Sequence, residues 1–141
     1  MRYTKKGIIY KKYFSRVKES IDNDFHLEAT WIIYSLIENR LKSLSIEKLG
    51  LSLIRDNVES AILALREELK TNTMLSLELS TELLDNIDKW RKDRNNVIHF
   101  LTQERIDKTE LSKISLEGEV ILREIAATNM RVKKRLRNKV A

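Results

Sequence analysis

The chain has 141 residues, 34% of them charged, with 27 lysines and arginines against 21 acids and a formal net charge of +6. It holds no cysteine, no proline and three glycines, which excludes disulfides and thiolate metal centres and leaves little material for hairpins or glycine-rich phosphate loops. No apolar run reaches membrane-spanning length and no signal peptide is visible, so a single cytoplasmic domain over residues 1–141 is expected, with a basic extension over 131–141.

Abundant Leu, Ile, Glu, Lys and Arg predict an all-α fold, an up-and-down bundle of four to five helices. The first helix is expected over residues 4–20, with Ile8, Ile9, Tyr13, Phe14 and Val17 as its apolar stripe. Asp22-Asn23-Asp24 then supplies turn and N-cap chemistry. The second helix, over residues 25–45, repeats Ala29, Ile32, Ile33, Leu36, Ile37, Leu41 and Leu44 at three- and four-residue spacing. Residues 45–53, with Gly50, read as a loop, and a third helix follows over residues 55–69. Leu75, Leu77 and Leu79 alternate with polar residues but have no partner strand, so residues 74–80 read as a loop or the lead-in to a helix. Ser80 is placed to cap a fourth helix whose stripe is Leu83, Leu84, Ile87, Trp90 or Arg91, Arg94, Ile98 and Leu101. Asp107 and Glu110 have capping-box spacing and are expected to open the last helix, which runs toward the basic tail.

Charge is unevenly spread. Residues 1–18 carry seven basic side chains and no acid, and residues 131–141 carry six more, again without an acid. The middle is acidic, but Lys89, Arg91, Lys92 and Arg94 interrupt it against Asp93 alone. Such clusters attract polyanions. Arg91 and Lys92, with Arg131, Lys133, Lys134, Arg135 and Arg137 in the tail, are the candidate RNA-backbone contacts, with salt-sensitive and sequence-independent affinity.

Reactive chemistry concentrates between Trp90 and Phe100. The chain has two histidines, so His99 has few rivals as a proton-transfer group. An imidazole with an ordinary pKa near 6.5 takes and gives protons at cellular pH. Arg94 can hold a phosphate and stabilise charge on a pentavalent transition state, and Asn95 can orient the imidazole or touch the phosphate. Arg94 and His99 lie about 140° apart around a regular helix, whereas Asn95 and His99 share a face. A long arginine side chain can swing toward that face. The chemistry would cut RNA through its 2′-hydroxyl, spare DNA and need neither metal nor other cofactor. One histidine cannot act as base and acid on opposite sides of one phosphorus, so a homodimer is expected to supply the second. Trp90, Ile98 and Phe100 are candidates to face that partner as well as the core.

Arg94-Asn95-Asn96-Val97-Ile98-His99 resembles the Arg-x4–6-His signature of the HEPN superfamily, including the asparagine directly after the arginine. The number of helices and the placement of the motif on a late helix agree. The resemblance implies a dimeric, metal-independent endoribonuclease with Arg94 and His99 catalytic and Asn95 supporting. It also implies a setting in toxin–antitoxin, phage-defence or RNA-processing systems, with an antitoxin or regulatory protein as a further partner. Some family toxins carry a modifiable tyrosine two residues after the histidine, where this chain has Leu101. The alternative is a non-catalytic module of the same fold that binds protein or nucleic acid. In that reading His99 is a core-edge residue and Arg94 pairs with Asp93, Glu104 or another acid. His26 reads as a capping-region or surface histidine, and Trp31, Trp90 and Phe100 as packing residues rather than base-stacking platforms.

Overall fold

The computed structural model describes residues 5–101, 103 and 108–140. Every regular element among them is helical. The order is α1 (Lys5–Asp22), α2 (His26–Lys42), a π-helical turn (Ser43–Lys48), α3 (Val58–Leu69), α4 (Thr73–Glu78), α5 (Thr81–Leu101) and α6 (Lys108–Val140). The chain divides into two compact units, Met1–Leu36 with Trp90–Val120 and Ile37–Lys89 with Ile121–Ala141. Helices α2, α5 and α6 contribute residues to both. No helix of the described residues is long and apolar enough to cross a membrane.

In the first unit, α1 ends in a Schellman arrangement. The Phe25 N–H donates to Ser20 C=O at 2.7 Å and the Asp24 N–H to Ile21 C=O at 3.1 Å, with Asp24 left-handed at φ 60°. Asp24 therefore makes the turn expected of Asp22-Asn23-Asp24, and in doing so terminates α1. The α1 stripe is narrower than its periodicity implied. Val17 is buried, but Ile8, Ile9 and Tyr13 are exposed. Trp90 of α5 centres the unit. Its Nε1 donates to Ile114 C=O at 2.8 Å, and its ring stacks against Tyr34 with centroids 6.4 Å apart. A Cβ on Gly118 of α6 would stand 2.6 Å from Trp90 Cζ2, so only glycine lets the indole lie against that helix. Trp90 is a core residue, as one half of its expected role required. Asp107, proposed as the α6 cap, lies outside the described residues.

The second unit buries Ile37, Leu41, Leu44, Val58, Ile62, Leu65, Leu84, Ile87, Leu122 and Ile125. Residues 45–53, read as a loop, begin instead inside the π turn. The buried Ser45 hydroxyl donates back to Leu41 C=O at 2.8 Å and competes with the regular ladder. Gly50, left-handed at φ 65°, donates to Ile46 C=O and closes the turn. Asn57 Oδ1 accepts from the Ser60 N–H at 2.8 Å and starts α3. Residues 74–80 contain a short helix, because Asn72 Oδ1 accepts from the Leu75 N–H at 2.9 Å. Ser80 caps α5 as expected, its Oγ accepting from the Leu83 N–H at 3.0 Å. Among the described residues the count is thus six α-helices rather than four or five, the addition being the brief α4.

Candidate functional site

Helix α5 turns Leu83, Leu84, Ile87, Trp90, Arg94 and Val97 inward along one stripe. Arg94 therefore occupies an apolar position and is only 8% exposed. Two aromatic rings of α2 accommodate it. The guanidinium carbon lies 4.1 Å from the centroid of Tyr34 and 4.9 Å from that of Trp31. Such contacts are worth about 0.5–1 kcal/mol at a surface and about 2 kcal/mol when desolvated. Among the described residues no carboxylate pairs with Arg94. Among the described residues its buried Nε has no hydrogen-bond partner. Burial pulls its pKa below the ordinary arginine value, with Tyr34 opposing that shift. An arginine starts so high that it stays charged at neutral pH. Glu104, another partner considered for it, lies outside the described residues.

The Arg94 Nη1 donates to Asn95 Oδ1 at 3.1 Å, so the side chain swings from the buried stripe toward the neighbouring flank. That flank is solvent-facing: Lys92, Asn95, Asn96 and His99 are all exposed. Their three- and four-residue spacing puts Lys92, Asn95 and His99 on one side of α5. The Gln103 side-chain nitrogen lies 3.4 Å from His99 Nε2, and the His99 and Phe100 rings are tilted with centroids 6.2 Å apart. Arg91 is half-buried. The structure thus joins Arg94 to Asn95 directly and places His99 one turn beyond Asn95. It does not give Arg94 and His99 a common face.

The tail cations belong to the second unit. Arg131 and Arg135 of α6 are committed to Glu78, their Nε atoms donating at 2.7 and 2.5 Å. Arg131 also donates to Glu78 C=O at 3.2 Å. Arg135 and then Arg131 hold the Glu78 carboxyl below the ordinary glutamate value. Lys133, Lys134 and Arg137 remain exposed with no ion-pair partner among the described residues. Of the five tail candidates, these three are the open ones.

His26 is the first residue of α2, in the capping region as expected, but it is half-buried rather than on the surface: its Nδ1 lies 2.7 Å from the buried Ser115 Oγ, and its Nε2 lies 3.4 Å from Asp24 Oδ1. It ties the start of α2 to α6 within the first unit. Sequence alone offered no signal for a contact 89 residues away. Among the described residues no group of three or more His, Cys, Asp or Glu side chains is placed to hold a metal ion.

No family model, no curated protein and no solved structure matches the chain. Fold and site define the class only as an all-α protein carrying an aromatic-caged arginine beside an exposed asparagine–histidine flank.

Proposed function

We propose that the chain is a HEPN-like, metal-independent endoribonuclease acting as a homodimer. The observation that carries the reading is the caged Arg94. Among the described residues Arg94 has no carboxylate partner, and a buried cation is costly unless something answers its charge. Stacking on Tyr34 and Trp31 holds the guanidinium in place without neutralising it. Its field is therefore available to an anion approaching the Asn95 flank, where His99 is exposed.

In the proposed reaction His99 removes the proton from a ribose 2′-hydroxyl, and the freed oxygen attacks the adjacent phosphorus. Arg94 and Asn95 stabilise the charge that develops on the phosphoryl oxygens. The bond to the 5′-oxygen breaks, and that oxygen leaves with a proton from the His99 of the second copy. The products are a 2′,3′-cyclic phosphate and a 5′-hydroxyl. A toxin or phage-defence setting with an antitoxin or regulatory protein extends the proposal through the sequence resemblance alone. The test is incubation of labelled single-stranded RNA with the protein in EDTA. Cyclic-phosphate ends are expected, and their loss in His99→Ala assigns them to this chain.

One observation favours a second reading. At 8% exposure, Arg94 is poorly placed to meet a phosphate without rearrangement. A non-catalytic module would use that arginine as a structural cation and bind RNA through Lys133, Lys134 and Arg137. Salt-sensitive retention of RNA, without scission by wild type or variant, distinguishes it.

A further inference from the structure

The two tryptophans of the first unit have opposite environments. Trp90 is buried, hydrogen-bonded to Ile114 C=O and pressed against Gly118. Trp31 is 55% exposed although the Arg94 guanidinium lies over its ring. One indole face is thus backed by a cation while much of the remaining ring surface is open. Other aromatics are exposed too (Tyr13, Phe25 and Phe100), but among the described residues only Trp31 combines exposure with contact to Arg94. Glu28, one turn before it on α2, is paired with Arg16 at 2.9 Å, which offsets an acid that would otherwise border the ring.

We infer that Trp31 is a base-stacking platform: its open face takes a nucleobase of single-stranded RNA while Arg94 backs the other. This rests on the proposed ribonuclease site and names how that site holds its substrate. Every nucleobase has a π-face, so such a platform tolerates sequence variation and selects unpaired strands over duplex. The guanidinium over one face helps to fix the orientation of the ring. The same arginine donates to Asn95, so a base on Trp31 would lie one guanidinium away from the flank that carries His99. Trp31 is then a positioning residue and takes no part in proton transfer.

The test uses the full-length His99→Ala variant, so that RNA survives the titration, and reads tryptophan emission with buried Trp90 as the constant background. The probes are a short oligoadenylate and an abasic ribose-phosphate strand of the same length and charge. Oligoadenylate should quench the emission, and the abasic strand should bind without quenching. Adding Trp31→Ala should abolish quenching and weaken oligoadenylate binding about tenfold, with a clearly smaller loss for the abasic strand, because Tyr34 still backs Arg94. Trp31→Phe, which keeps a ring for Arg94 to stack on, should recover part of the affinity. Equal quenching by both strands, or undiminished oligoadenylate affinity in Trp31→Ala, overturns the inference. So does emission that depends on protein concentration and ignores RNA, which would assign Trp31 to a contact between copies. Cleavage by the wild type is measured separately. Quenching without cleavage removes the nuclease reading and keeps the platform, and cleavage without quenching does the reverse.

Discussion

Arg94 and Asn95 are adjacent on α5 and should point about 100° apart, yet the Arg94 Nη1 reaches the Asn95 Oδ1 at 3.1 Å. That bond connects a buried cation to an exposed flank, and it predicts an unusual response to Asn95→Asp. The new carboxylate would accept a charge-assisted bond from Arg94 and should stabilise the fold by about 1 kcal/mol. It would also neutralise the field that is proposed to hold a phosphate. Urea denaturation should show the gain, while RNA cleavage should fall at least about tenfold. A variant that is more stable and equally active would place the phosphate elsewhere.

Arg94→Met separates a structural cation from a functional one. Methionine fills much of the same space, and relief from burying a charge offsets the lost stacking on Tyr34 and Trp31. Stability should stay within about 1 kcal/mol of wild type. Cleavage should drop by roughly a hundredfold or more, the size expected on removing a group that stabilises developing charge. Activity that falls only in proportion to the folded fraction would make Arg94 a packing residue.

Gly118→Ala tests the packing beneath the site. Alanine favours helix by about 1 kcal/mol, so an exposed glycine in α6 would be improved by it. Here the added Cβ meets Trp90 at 2.6 Å, and the indole is held by its bond to Ile114 C=O. The net effect should be destabilisation by about 1–3 kcal/mol, with altered near-ultraviolet circular dichroism from Trp90. A neutral or stabilising substitution would mean that the indole can move.

Much of this was legible in the primary structure, though unevenly. Ser80 announced α5, and the position of Arg94 within the Leu83–Ile87–Trp90 stripe already implied an inward-facing cation. Asn72 caps α4, but the alternating leucines behind it obscured that helix in the sequence. The π turn depends on Ser45 bonding backward, a choice between two local hydrogen-bond patterns that apolar periodicity does not report. What could not be read was tertiary. The rings that cage Arg94 lie on α2, some 60 residues earlier by roughly counting along the chain. Trp31, expected to pack, is 55% exposed. His26 and Ser115 likewise meet only through the fold.

Glu78 and the tail give a pH-dependent and a salt-dependent outcome. The Glu78 carboxyl is held below its ordinary value by Arg135 and Arg131, so its folded-state pKa lies under the unfolded one. Its contribution to stability is present above the unfolded value, about pH 4.3, and is lost as pH falls through the folded value. The stability difference between wild type and Glu78→Gln should therefore be seen at neutral pH and vanish in acid. Replacing Lys133, Lys134 and Arg137 together by glutamine should reduce the salt slope of single-stranded RNA binding by up to about 2. Replacing Arg131 and Arg135 should change it less, because Glu78 already occupies them. Equal slopes for the two sets would contradict that division.

The most direct measurement is the single-turnover cleavage rate of a labelled single-stranded RNA in EDTA, for wild type and His99→Ala side by side. Proton transfer by a positioned histidine contributes about 10²–10⁴-fold, so the variant should be slower by at least about a hundredfold while its far-ultraviolet circular dichroism is unchanged. Equal rates, or cleavage that requires an added divalent cation, would contradict the assignment of His99 as the group that moves the proton.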